Sequence, residues 1–442
     1  MIRLIKNAGI FAHYPAHLQA DTLVIKGGKI AAIGSEKELS AAYPQAEVTD
    51  ALGRLVLPGF INTHMHFYSA FARGLAMDKA PRNFLQILQN LWWRLDKALD
   101  AEAVYYSALI PAITAIKNGV TSVIDHHASP HAVDGSLDRI EEALEPLGLR
   151  AALCYEVSDR DGKEIAEAGL RENERYIKKC AAQKQEDAGR LFSALFGLHA
   201  AFTLQDDTLQ TAAALGEALK TGFHLHLAEG KDDDARPRYG LSTTGRLHRF
   251  GILGAETIAA HAIHISDSDR RLLAETDTIV VHNPQSNMNN AVGRADIFAM
   301  LKENILVGLG TDGMSPSLFP DIRAAHLLHK HHLKDPTVGW NEIRQMVLEN
   351  NAQIYERVSG QKVGRLAPGY AADLVIYDYY PPTPLTAENL WGHILFGLAD
   401  APVHTVIING KTVLENYRMT EIDEDEIAAK SREVAKRVWE RF

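Results

Sequence analysis

The sequence predicts an α/β fold: a (β/α)8 TIM barrel carrying a small composite β-sandwich domain formed by both termini. Three observations predict it. The middle of the chain alternates eight short apolar runs with amphipathic helical stretches, the pattern of a closed parallel barrel. Both ends carry alternating runs around hairpin turns instead. A length of 442 residues also exceeds what one hydrophobic core usually organises.

Residues 20–34 (ADTLVIKGGKIAAIG) place two alternating stretches around Gly27-Gly28, a hairpin signal. Residues 373–378 (DLVIYD) and 403–415 (VHTVIINGKTVLE) read as strands, the second folding back at Asn409-Gly410. Residues 1–57 and 362–442 are therefore expected to form the composite domain, and 58–361 the barrel. In the last 20 residues Ile427, Val434 and Val438 recur at helical spacing, acids before bases, which predicts a docking helix. The eight barrel runs are 55–62, 119–125, 150–157, 191–198, 222–228, 256–261, 277–282 and 305–311. Helical patterns separate them, among them 101–117, 136–147, 206–220 and 266–275, and residues 320–358 add helices after the eighth run.

Composition narrows the function. The chain is 46% hydrophobic and 23% charged, which excludes a disordered, collagen-like or disulfide-scaffold protein. Lys and Arg number 46 against 56 Asp and Glu, a net charge of −10, so neither nucleic acid nor an anionic membrane is the expected partner. Cys154 and Cys180 lack metal-type spacing and read as buried thiols. The N-terminal stretch lacks a signal-peptide pattern and no run reaches the roughly 18 apolar residues of a membrane span, so a cytoplasmic location is expected.

In a barrel of this kind, chemistry collects at the C-terminal ends of the strands. Run one leads to His64-Met65-His66, whose alternate imidazoles point the same way along an extended chain. Run five ends in His224-Leu225-His226 followed by Glu229, run six at His261, run seven at His282 and run eight at Asp312. Imidazoles with one carboxylate suit a borderline divalent ion such as zinc or iron(II). Taken singly, an HxH pair is more often chance, and a His ending a strand is more often a turn residue. The coincidence of four strand ends favours a site. GLGTDG (308–313) follows a strand but matches neither the dinucleotide nor the P-loop pattern.

The segments PGFINTHMH (58–66), GVTSVID (119–125), HLHLAE (224–229), IAAHAIHIS (258–266), VVHNPQSN (280–287), GLGTDG (308–313) and APGYAADLVIYD (367–378) together resemble the amidohydrolase superfamily. The likeness is to its metal-dependent aminohydrolases and chlorohydrolases, which include guanine, adenosine-type and S-adenosylhomocysteine deaminases and the triazine hydrolases, and at finer grain to the SsnA-type aminohydrolases. That resemblance implies one divalent metal, zinc or alternatively iron(II), on His64, His66, His226 and Asp312. His224, one layer deeper, is expected to support the site rather than bind the ion. Run four ends without the lysine that two-metal relatives carry.

The resemblance further implies roles. Such an ion lowers the pKa of bound water from about 15.7 toward 7. Asp312 then takes the proton of the attacking water, His261 orients that water, and Glu229 shuttles a proton to a ring nitrogen. His199, Trp93, His127 and His282 are candidate substrate contacts, with Trp92-Trp93 following a covering loop at 73–83. The expected substrate is a small purine- or pyrimidine-like nitrogen heterocycle, deaminated at an exocyclic amine. Ring opening of a cyclic amide or amidine is the alternative; loss of chloride and a non-catalytic scaffold are lesser ones. Because relatives commonly pair, a homodimer is also expected.

Overall fold

The computed structural model describes residues 2–12, 20–77, 79–186 and 189–442; Met1, residues 13–19 of the N-terminal stretch and Asp78 of the 73–83 loop lie outside the described residues. Its centre is a ring of parallel strands: Phe60–Met65, Val120–His127, Arg150–Tyr155, Phe192–Ala194 with Phe196–Ala200, Phe223–Leu227, Ile258–His261, Ile279–His282 and Val307–Leu309. Helices alternate with them, including Ala101–Lys117, Ser136–Leu144, Asp206–Leu219 and Asp267–Glu275.

Two sequence-predicted runs resolve differently. Run 55–62 is two strands. Leu55–Pro58 pairs antiparallel with Leu374–Tyr377 of the composite domain, and Phe60–Met65 opens the barrel. Apolar residues continue from Leu55–Pro58 across Gly59 into Phe60-Ile61, so hydrophobicity alone does not mark the junction. Run 191–198 extends to Ala200 and breaks at Leu195; its first half pairs with the third strand and its second half with the fifth. Bridging bonds join the two half-sheets there, among them His199 N to the Val157 carbonyl at 2.9 Å.

The ring closes between its eighth and first strands. Thr311 N and Asp312 N both donate to the His64 carbonyl, at 2.9 and 3.0 Å, and Asn62 Nδ2 donates to Thr311 Oγ1 at 2.8 Å. Gly310 permits this approach, since a Cβ there would lie 2.7 Å from the His64 carbonyl oxygen. The barrel interior is filled by Ile61, Ile124, Ala152, Cys154, Ile258, Ile279 and Val281. Their neighbours Val123, Leu153 and Val280 face the helices instead.

The composite domain stacks two sheets on a shared core. Four strands run in the order Lys29–Gly34, Thr22–Lys26, Ile2–Lys6, Glu47–Asp50. Six run Arg418–Met419, Lys411–Glu415, Val403–Ile408, Leu374–Tyr377, Leu55–Pro58, Gly9–Ile10. Ile5, Leu23, Ile25, Val56, Leu374 and Ile407 pack between them. Its two hairpin turns touch: a Cβ on Gly28, at φ 76°, would meet Asn409 Oδ1 at 2.6 Å. Arg150, at the start of the third barrel strand, grips Asp373 bidentately at 2.9 and 3.2 Å and ties the barrel floor to this domain. The C-terminal helix Glu424–Arg441 buries Val434 and Val438, while Trp439 Nε1 donates to the Phe71 carbonyl at 2.7 Å. Among the described residues no single helix is long and apolar enough to cross a membrane.

Candidate metal centre and cavity

Parity along the strands sets which side chains enter the barrel. His64 and His66 from the first strand, His126 from the second and His224 and His226 from the fifth converge on its C-terminal end. The ligand nitrogens of His64, His66, His126 and His226 lie within 4.8 Å of one another. So do the ligand atoms of His64, His226, His261 and Asp312. Asp312 Oδ1 is 2.9 Å from His66 Nε2 and 3.4 Å from His64 Nε2. His66 Nε2 and His226 Nε2 are 3.2 Å apart.

Four of these imidazoles are pinned by the far nitrogen. His66 Nδ1 bonds the His126 carbonyl at 2.6 Å, and His226 Nδ1 the His199 carbonyl at 3.0 Å. His261 Nδ1 faces Asn287 Oδ1 at 2.8 Å, and His64 Nδ1 faces His224 Nε2 at 2.8 Å. The Nε2 atoms of His64 and His261 are left buried without a hydrogen-bond partner. Pinned imidazoles with inward Nε2 atoms and one carboxylate fit a divalent cation such as zinc or iron(II). His126 joins this cluster although the resemblance assigned it no ligand role; both of its ring nitrogens are also buried without partners.

Electrostatics agree with that fit at His64, His226 and Asp312, whereas at His66 burial is outweighed by Asp312 and Glu156, which raise the ring well above its ordinary value. Burial lowers His64 to about 4 and His226 well below its ordinary value, so both rings are neutral ligands near pH 7. Burial opposes the charge on Asp312, yet its pairing with His64 and His66 holds its carboxyl well below the usual range. For Glu229 burial dominates and raises the carboxyl to about 7; His261 opposes the shift and Asp312 adds to it. Glu229 Oε2 stands 3.5 Å from His261 Nε2, and Asn290 Nδ2 donates to its Oε1 at 3.2 Å.

The backbone is strained at these positions. Ala228, His261 and Asp312 have φ values of 48°, 73° and 54°, in the left-handed region that β-carbon-bearing residues avoid. The fifth, sixth and eighth strands thus turn abruptly where Glu229, His261 and Asp312 leave the barrel. Asp233 holds the first of these turns, accepting from Ala228 N at 2.7 Å and Phe202 N at 3.0 Å.

A cavity of about 740 Å3, its open mouth included, lies over the cluster. His66, His226, Glu229 and Asp312 form its floor, and Trp92, Trp93, Phe84, Leu88 and Phe202 an aromatic and aliphatic wall. Trp93 packs edge-on to His199 at 6.2 Å between ring centres, and His199 Nδ1 faces Thr203 Oγ1 at 2.8 Å. Both line the cavity.

His127 and His282 do not line it. His127 follows the inward His126, so it points outward, where its Nε2 meets Ser129 Oγ at 2.9 Å. His282 shares the outward parity of Val280, and its Nε2 lies 3.2 Å from His329 Nε2 on helix Phe319–Leu333. Of the four substrate contacts expected from the sequence, the structure brings Trp93 and His199 to the cavity and not these two. Conversely, Glu156, Arg160 and Asn290 line the cavity and were not singled out from the sequence. Glu156 lies just beyond the third strand; a carboxylate at that strand end was the available signal. His224 sits behind His64 with its Nδ1 3.6 Å from Cys154 Sγ.

Comparison with known proteins follows the same lines. Residues 55–413 match the amidohydrolase family, and residues 23–46 an imidazolonepropionase-like composite domain of bacteria. The chain is 31% identical over 441 residues to a 5'-deoxyadenosine deaminase of Methanosarcina acetivorans, covering 98% of this chain and 97% of that protein. It is 30% identical over 445 residues to a 5-methylthioadenosine/S-adenosylhomocysteine deaminase of Desulforudis audaxviator, covering 99% of each. Among solved structures it is similar to an adenosine deaminase from Xanthomonas campestris with bound zinc, at a TM-score of 0.85, 22% identity and 98% coverage of each chain. A family match across most of the chain, with relatives aligned nearly end to end, decides the matter: the chain belongs to the amidohydrolase family.

Proposed function

We propose that this chain is a metal-dependent aminohydrolase. It holds one divalent ion, zinc or iron(II), on His64, His66, His226 and Asp312. It exchanges an exocyclic amino group of a purine-like heterocycle for water, releasing ammonia. The observation that carries the reading is the Glu229–His261 pair, 3.5 Å apart, standing beside Asp312 at the cavity floor. The names of the two relatives above, both deaminases of adenosine-type compounds, support the choice of substrate class.

When bound, the ion supplies the Lewis acidity that makes water nucleophilic near neutral pH. The rest falls to side chains. Asp312 is ionised and placed to accept the proton lost by the attacking water. With Asn287 Oδ1 accepting from Nδ1–H, His261 Nε2 presents a lone pair that accepts a hydrogen bond from that water and orients it. Glu229, held near pKa 7 by burial, delivers a proton to the ring nitrogen beside the attacked carbon. The proton taken up by Asp312 then passes to the exocyclic amine, and the new hydroxyl returns its proton to Glu229 as the C–N bond breaks, the C=O bond forms and ammonia leaves as a neutral molecule.

The test is a screen of purines, pyrimidines and pterins, with their reduced forms, against zinc- and iron-loaded protein. Ammonia release with the ring chromophore retained is expected. Loss of the chromophore without ammonia would mean ring opening, and a protein that binds no metal and turns over nothing would end the reading.

A further inference from the structure

Glu156 has no place in the mechanism above, yet it lines the cavity at 5% exposure. Its Oε1 lies 3.1 Å from His66 Nδ1 and 3.5 Å from His126 Nδ1, and its Oε2 lies 3.8 Å from His199 Nε2. These contacts are charge pairings rather than aligned hydrogen bonds. His66 Nδ1 is directed at the His126 carbonyl, 2.6 Å away, and Oε1 is left buried without a hydrogen-bond partner. A buried carboxylate with an oxygen that lacks an aligned donor is costly, and a ligand that supplies a donor to that carboxylate recovers part of the cost.

The cations nearby are already engaged. Arg160 is the one Lys or Arg lining the cavity among the described residues. It pairs with Asp96 and with Asp161, and its guanidinium lies 5.2 Å from the centre of the Trp93 ring. The wall formed by Glu156, His199 and Trp93 therefore offers a planar ligand an acceptor and an aromatic edge, and offers an anion little.

We propose that Glu156 is a specificity-determining residue that accepts a hydrogen bond from an N–H or NH2 group of the substrate. The site accordingly selects heterocycles with a donor on the edge facing the third strand, and discriminates against phosphate or carboxylate there. The proposal rests on the aminohydrolase reading for the kind of ring, and its test separates the two.

Zinc-loaded wild type and Glu156→Gln are compared by calorimetry against adenine, guanine, adenosine, adenosine monophosphate and singly N-methylated purines, with metal content and ammonia release followed in parallel. In the wild type, blocking one N–H by methylation is expected to weaken binding tenfold or more, and the monophosphate to bind less well than adenosine. In Glu156→Gln the methylation penalty shrinks to under threefold while metal content holds. An equal penalty in both proteins overturns the proposal. So does metal loss with an unchanged penalty, which would make Glu156 a support for His66. Binding without ammonia release breaks the aminohydrolase reading alone, and binding by no compound in the wild type breaks both.

Discussion

The floor and the wall of the cavity are built by different means. On the floor, His66, His226 and Asp312 come from strand ends, and hydrogen bonds to carbonyls and side chains fix their orientation. The wall comes from elsewhere. Trp92 and Trp93 sit on a helical segment whose Leu88–Trp92 turn is widened, and Arg160 lies on the loop after the third strand. Its contacts are edge-on ring packing and one cation–π approach rather than hydrogen bonds to the barrel. The difference teaches that reaction type is written into the rigid barrel rim, whereas the apolar surface that a ring would stack on is written largely into segments laid over it.

The largest expected effect tests the floor. Glu229→Gln keeps the shape of the side chain and the imidazole set but removes the transferable proton. We expect kcat to fall by about 10^2–10^4 with zinc stoichiometry unchanged by elemental analysis. The pH profile sharpens the point. Glu229 acts in its protonated form and burial holds it at about 7, so activity should decline as pH rises through that value. The residual activity of Glu229→Gln should lack this limb; a variant that retains it would place the titrating group elsewhere.

That asymmetry also explains how much was legible in the sequence. The alternation of apolar runs and helices identified the barrel, and HxH after run one with HLHLAE after run five identified the floor. Parity was not legible. Barrel strands are covered on both faces, so Val120–His127 reads as buried throughout, and nothing local says that His126 turns inward and His127 outward. His282 misled for the same reason, since only its pairing with His329 shows which side it takes. Glu156 was missed because its partners come from the first, second and fourth strands, 90, 30 and 43 positions away in the numbering. The split of run 55–62 was hidden because apolar residues run on from Leu55–Pro58 across Gly59 into Phe60-Ile61, and only the sheet that each strand joins separates them.

A smaller effect tests how firmly the floor is held. His224 touches no solvent and no cavity, but its Nε2 faces His64 Nδ1 at 2.8 Å and so fixes that ring. His224→Ala should weaken zinc binding about 10–100-fold, as loss of a supporting hydrogen bond does at metal-binding histidines. His224→Gln, which restores an acceptor, should recover part of that loss in a competitive chelator titration. Equal affinities in the two variants would reduce His224 to packing.

The smallest effect belongs to the wall. Trp93 meets His199 and Phe202 edge-on or tilted, at 6.2 and 6.3 Å, geometries in which an aromatic pair contributes about 0.5–1.5 kcal/mol beyond burial. Trp93→Leu keeps most of the apolar volume and should raise KM roughly three- to tenfold while kcat moves little, because no proton or hydrogen bond at the floor depends on the indole. A matching fall in kcat, measured with saturating substrate, would show that the wall also aligns the ring for attack, and the division between reaction and recognition would have to be redrawn through Trp93.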